Sequence, residues 1–100
     1  MVIKKDGGRV PYSRDKLKTG LLKACEKRPV SSEKIDNVID YIEGKLRAEN
    51  TNEIPSKTIG ELVMKKLKSL DKVAYIRFAS VYRDFADIQD FQDELKRLNK

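Results

Sequence analysis

The stretch 73-VAYIRFASVYRDF-85 decides the fold. Val73, Tyr75, Ile76, Phe78, Val81, Tyr82 and Phe85 cover most of the circumference of a helix. A helix that is apolar nearly all round needs packing partners on every side and belongs in the middle of a bundle. Asp71 is placed to open it, and the predicted span runs from Lys72 to about Asp84. The polar exceptions Arg77, Ser80 and Arg83 are therefore informative, and the two arginines need partners, either carboxylates or phosphates. Tyr75 and Tyr82 stand seven apart and share a face, so a tyrosine here can stack on a base or meet a second subunit, although core packing accounts for most of the stripe.

The segments around this helix supply the partners. Ser13 is the predicted N-cap of a first helix on which Leu17, Leu21, Leu22 and Cys25 share a face. It is expected to end near Lys27, because the residue before Pro29 avoids the helical region. Ser31 or Ser32 caps a second helix with Ile35, Val38, Ile39, Ile42 and Leu46 at spacings of three and four, and Asn50-Thr51-Asn52 breaks it. Ile54-Pro55-Ser56 reads as a connector, with Ser56 capping a third helix that turns Ile59, Leu62, Val63, Leu67 and Leu70 to one side. Asp87 caps a last helix, followed three residues on by Asp90, with Ile88, Phe91, Leu95 and Leu98 as its stripe.

Ahead of the helices lies 2-VIKKDGGRVPY-12. Val2 to Lys5 is a strand candidate, Asp6-Gly7-Gly8 a turn, and Arg9 to Tyr12 the returning strand. A lone hairpin is marginal and must pack on something. The predicted fold is mainly α, a β-hairpin on about five helices, with residues 1–100 as one domain. Adjacent lysines on a strand face opposite ways, so Lys4 and Lys5 can address a ligand and the turn separately. A Gly-rich turn can also offer N–H groups to phosphate oxygens, although no GxxxxGK[ST] pattern occurs.

The formal charge of +6 is not spread evenly. Residues 1–28 hold nine basic and three acidic groups, which accounts for the whole excess. A localised excess points to a polyanion, nucleotide or nucleic acid, and the bland alternative is a solvated helix face. Lys16 and Lys18 lie near the start of the first helix, where the dipole disfavours cations unless an anion is close. One cysteine and no histidine exclude an internal disulfide, a Cys/His zinc site and every His-based triad. Cys25 reads as a core residue. No carboxylate pair stands out for acid–base work, so the chain is not expected to be an enzyme. No apolar run approaches the roughly 20 residues of a membrane span, and the segment MVIKKDGG lacks the long apolar core of a secretory signal. The expectation is a soluble, cytoplasmic protein without a membrane partner.

Together VIKKDGGRVPYSRDKL, GLLKACEKRPVS, IGELVMKKLKSLD and VAYIRFASVYRDF resemble the ATP-cone, a nucleotide-binding regulatory domain. Within that family they are most similar to the nucleotide-sensing part of the bacterial ribonucleotide reductase repressors, the NrdR family. The resemblance covers essentially the whole chain, and the last segment is its most specific part. It implies binding of ATP or dATP, with magnesium on the phosphates, and nucleotide-dependent homo-oligomerisation that controls operator DNA binding. It further implies that Val2 packs near the adenine, that Lys4, Lys5 and Lys16 hold phosphates, that Ser13 and Ser56 lie at the pocket edge, and that Tyr82 stacks near a nucleotide or an adjoining subunit. Lys5 replaces a more usual arginine and so gives up the planar fork. The CxxC zinc ribbon that touches DNA in that family is absent, so DNA contact by this chain is expected only through a ribbon it does not carry. Two alternatives stand beside this: a basic helical module binding nucleic acid directly, for which Lys18, Lys23 and Lys27 would matter as much as Lys4 and Lys16, or an ATP-cone from the reductase itself, against which RFASVYRDF speaks.

Overall fold

The computed structural model describes residues 1–49 and 51–99, so the part of the predicted helix break that falls on Asn50 lies outside the described residues. The elements are β1 (Val2–Ile3), β2 (Arg9–Val10), α1 (Arg14–Ala24), α2 (Ser32–Ala48), β3 (Ile54–Pro55), α3 (Ser56–Leu70), α4 (Lys72–Tyr82) and α5 (Ile88–Leu98). The predicted hairpin and five helices are present, with two differences in the strands. The strands are shorter than expected: Lys4 and Lys5 belong to the turn, closed by Gly7 N donating to Lys4 O and Lys4 N to Gly8 O. Gly7 adopts φ +87°, the left-handed region that glycine occupies without a Cβ penalty. The supposed connector Ile54-Pro55 is a third strand, parallel to β1, which gives the sheet order β2-β1-β3. Proline is tolerated because β3 is an edge strand and needs no N–H on its outer side.

Helix α4 occupies the middle of the bundle, packed against α1, α3 and α5. Ala74 and Ala79 are fully buried and let its neighbours approach closely. The core beneath is Leu21, Ile39, Ile42, Val63 and Leu67, with Cys25 among the buried residues as expected. Burial pushes the Cys25 thiol pKa up, which leaves it a poor nucleophile. Leu22, assigned from spacing to the apolar face of α1, is exposed, and Ala24 is buried in its place. Helix α1 stops at Ala24 rather than near Lys27, with Lys27 in the left-handed region at φ 60°. Arg77 of α4 donates to the carbonyls of Ala24 and Glu26 and satisfies that helix end. Arg28 then donates to both oxygens of Asp71, whose carboxylate also accepts from Ala74 N as the α4 cap. The Ala74 N–H and the Arg28 guanidinium together hold Asp71 below the usual carboxylate range.

Helix α5 departs most from expectation. Asp87 accepts from Asp90 N and Asp90 accepts from Ala86 N, a reciprocal cap close to the one predicted. Of the predicted stripe, only Leu98 is buried, while Ile88, Phe91 and Leu95 are exposed. The fully buried residue is Glu94. Tyr75 Oη donates to it over 2.7 Å, and Arg83 Nε lies 2.6 Å away in an ion pair whose N–H is not squarely aimed. Arg97 adds a longer contact of 3.4 Å. Thus Arg83 finds a carboxylate, one of the two partners its sequence position called for, and that carboxylate sets the roll of α5.

Glu94→Ala leaves the Arg83 charge and the Tyr75 hydroxyl in a cavity, so it should cost about 3–5 kcal/mol by urea unfolding at pH 7. Burial, and then the bond to Glu94, push the Tyr75 pKa up to about 12. The folded value lies above the unfolded one near 10, so the stability this group contributes is complete below about pH 10 and is lost as pH rises towards 12. Ultraviolet phenolate titration alongside unfolding curves should show the two effects over the same interval.

Candidate functional site

The hairpin turn is laid over the C-terminal end of α4 and the start of α3. Lys4, Lys5 and Asp6 from the turn, Ser56, Ile59 and Gly60 from α3, and Phe78 and Tyr82 from α4 line a cleft of about 500 Å³. Its wall is aromatic and apolar, and its rim is cationic. Lys5 Nζ reaches the carbonyl of Tyr82 at 3.5 Å and stands 5.9 Å from the ring centroid. Helix α4 has no basic residue in its own last turn, so Lys5 supplies the positive charge that its dipole favours there. Asp6 is occupied within the turn, accepting from Gly8 N at 2.8 Å. Among the described residues it forms no ion pair with either lysine.

Tyr82 lies directly on Gly60. A Cβ at Gly60 would come within 2.6 Å of Tyr82 Cδ1 and closer still to Cε1 and Cζ, which no side chain permits. Glycine inside a helix costs about 1 kcal/mol against alanine, a signal that the position serves packing. The ring is fixed further by Tyr82 Oη donating to Lys57 O at 3.1 Å and by near-parallel stacking on Phe78 at 5.9 Å. Burial and the neighbouring Glu61 carboxylate raise the Tyr82 pKa.

Ser56 is not the predicted cap. It is the first residue of α3, and the flanking position is Pro55, which has no side-chain acceptor. The first turn of α3 therefore carries neither a side-chain cap nor an acidic residue, and it opens on the cleft beside Lys4 and Lys5. Free N–H groups at a helix start together with two lysines suit an anion.

Of the residues singled out in the sequence, the cleft brings together Lys4, Lys5, Ser56 and Tyr82. Val2 is half-buried in β1, between its partners Val10 and Ile54. Ser13 spends its hydroxyl on Lys16 N as the α1 cap. Lys16 is exposed on α1 and does not line this cleft; its spacing places it with Gly20 and Lys23, which line a second cleft of about 580 Å³ on the far side of Phe78 and Tyr82. Ile59, Gly60 and Phe78 were missed as site residues; the glycine in a helical pattern was the only sign of them.

Ion pairing sorts the basic quarter. Arg9 pairs with Glu53, Arg14 with Asp40 and Glu43, Lys18 with Asp36, and Arg28 with Asp71. Lys4, Lys5, Lys16, Lys23 and Lys27 have no carboxylate partner among the described residues. A larger cleft of about 810 Å³ is lined by Arg47 together with Glu43 and Glu49, and Glu43 is paired with Arg14. The described residues contain no cluster of acidic, cysteine or histidine side chains that could hold a metal ion, and no helix among them is long and apolar enough to cross a membrane.

A short sheet laid across helices, with lysines from its turn beside an aromatic wall, is an arrangement that suits a small anionic ligand with a flat ring. The ATP cone domain pattern matches residues 1–88, and the chain belongs to that family. Across 98 residues it is 56% identical to the transcriptional repressor NrdR of Acetivibrio thermocellus, a match covering 98% of this chain and 65% of that protein. The chain thus spans about two thirds of the length of this relative, whose name describes a regulator rather than an enzyme.

Gly60→Ala should displace the Tyr82 ring, lowering stability by roughly 1–3 kcal/mol as overpacking does and collapsing the aromatic wall. Tyrosine fluorescence and a thermal melt would show both, and Ser56→Ala should leave the melt within about 0.5 kcal/mol because its hydroxyl caps nothing.

Proposed function

We propose that residues 1–100 act as one non-catalytic sensing domain that binds ATP or dATP and belongs to a cytoplasmic repressor of ribonucleotide reductase genes. The observation that carries this is the cleft in which two lysines without carboxylate partners and an uncapped helix start stand beside the Phe78–Tyr82 wall. The aromatic wall suits a purine, and the cationic rim suits its phosphates. In this reading Lys4 and Lys5 hold phosphate oxygens, Ser56 lies at the edge and Tyr82 stacks near the base. Val2, Ser13 and Lys16 form an outer group, with Lys16 approaching from α1. Magnesium enters on the phosphates and needs no carboxylate cage from the protein.

The mechanism is linkage. A nucleotide that favours one assembly state of identical chains shifts the population towards it, and operator binding follows. DNA contact belongs to parts of a longer repressor, such as a zinc ribbon, that these 100 residues do not contain. Similarity to the Acetivibrio repressor over nearly the whole chain supports this reading over a cone of the reductase itself. Direct nucleic-acid binding is the second reading, favoured by the unpaired Lys16, Lys23 and Lys27.

Thermal unfolding with magnesium and ATP, dATP or GTP tests the assignment. Adenine nucleotide at 100 times its dissociation constant stabilises by about 2.7 kcal/mol, a rise of roughly 10–20 °C for a domain of this size. The rise should disappear in Lys4→Ala and shrink in Lys16→Ala. No shift with any nucleotide, together with DNA or RNA binding that falls steeply with salt, would favour the second reading.

A further inference from the structure

Glu94 is fully buried on α5, almost all of which lies beyond residue 88, where the ATP cone match stops. Its carboxylate meets Arg83 Nε at 2.6 Å and the Tyr75 hydroxyl at 2.7 Å. Arg97 stands further off at 3.4 Å and is more than half exposed, so water screens its charge. Fastening α5 does not by itself call for an acid. Well-packed apolar side chains hold a helix as firmly as a buried ion pair of similar volume.

The arginine of the pair adjoins the cleft. Arg83 follows Tyr82 in the chain and does not line the cleft itself. Its guanidinium nevertheless lies 5.8 Å from the Tyr82 ring centroid, and Lys5 Nζ lies 5.9 Å from the same centroid. Two cations thus stand beside one ring. Lys5 has no carboxylate partner among the described residues, whereas Arg83 has Glu94 and, at 3.7 Å, Glu61. Glu61 is about half exposed and screened by water; Glu94 is out of water and acts on Arg83 at short range with little screening. Arg83 Nε has no squarely aimed acceptor, so the attraction between the charges holds it there rather than hydrogen-bond geometry.

We propose that Glu94 is a positioning residue for the cleft: it keeps Arg83 as a cancelled charge beside the Tyr82 wall, and so limits how tightly the cleft takes a polyphosphate. The identity of the ligand rests on the nucleotide-sensing reading; the electrostatics rest only on the cationic rim. While Glu94 is charged, an anion on Lys4 and Lys5 gains little from Arg83. With that charge removed, the arginine acts as a third cation next to the same ring. The consequence has the opposite sign to ordinary damage, because loss of the charge loosens α5 and yet tightens the anion.

Isothermal titration of the full 100-residue chain with magnesium ATP, and with inorganic tripolyphosphate, tests this. Glu94→Gln keeps the side-chain shape and an acceptor for Tyr75 while removing the charge. Its thermal midpoint is expected to fall, and its dissociation constant for ATP to fall as well, by at least about threefold at low salt, a gain that shrinks as salt rises. Adding Arg83→Gln to Glu94→Gln is expected to abolish the gain. Tyr75→Phe removes a hydrogen bond to Glu94 but no charge, so it should lower the midpoint and leave the dissociation constant unmoved. A merely structural role for Glu94 would make Glu94→Gln behave like Tyr75→Phe, and that result overturns the proposal. Glu61→Gln, at an exposed side chain that tolerates replacement, is expected to tighten ATP by a smaller factor and serves as the test if Glu94→Gln does not fold. ATP binding by the native chain with no tightening in the acid variants that fold overturns the proposal and leaves the sensor. Tighter tripolyphosphate in Glu94→Gln, with ATP bound no better than tripolyphosphate, keeps the proposal and removes the adenine sensor. Failure of both anions to bind either protein overturns both.

Discussion

The contact of the Tyr82 ring with the bare Cα of Gly60 is the constraint on which the site depends. It brings α3 and α4 together at the point where the sheet turn crosses them. With the ring held there, the backbone of Tyr82 ends α4 under Lys5, and the uncapped start of α3 faces the same space. Any side chain at position 60 would push the helices apart and separate the aromatic wall from the cationic rim.

Charge in this molecule divides into two populations with different roles. Arg9, Arg14, Lys18 and Arg28 are held by carboxylates of other elements, and Arg77 and Arg83 close a helix end and a buried acid. These contacts tie α1 to α2, the end of α1 to α4, and α4 to α5. Within the first 28 residues, the lysines left without a carboxylate among the described residues are Lys4 and Lys5 at the turn and Lys16, Lys23 and Lys27 on or just after α1. Glu94 is the internal counterpart: a carboxylate taken out of water is tolerated only because Tyr75 and Arg83 meet it. Its burial decides which face α5 shows to solvent.

Most of the fold was legible in the sequence. Periodicity placed α1 to α5, caps at Ser13, Asp71 and Asp87 marked helix starts, and the apolar circumference of 73–85 placed α4 in the middle. The short strand β3 was hidden because two residues carry no alternation, and proline argues against a strand unless it lies at an edge. Ser56 looked like a cap because a hydroxyl before an apolar run usually is one, whereas the chain enters α3 one residue earlier, at Pro55.

The sequence by itself determined what each segment can become and where the net charge lies, because helical periodicity, capping and proline restriction act over a few neighbouring residues. Lys4 and Tyr82 could be marked as chemistry, but not as neighbours. Only the tertiary structure decided which lysines remain without carboxylates, that Gly60 receives Tyr82, and that α5 buries Glu94 and exposes Ile88, Phe91 and Leu95. Each of these depends on groups tens of residues apart. A charge or an aromatic ring takes its role from the partner that packing brings to it, and local pattern carries no record of that partner.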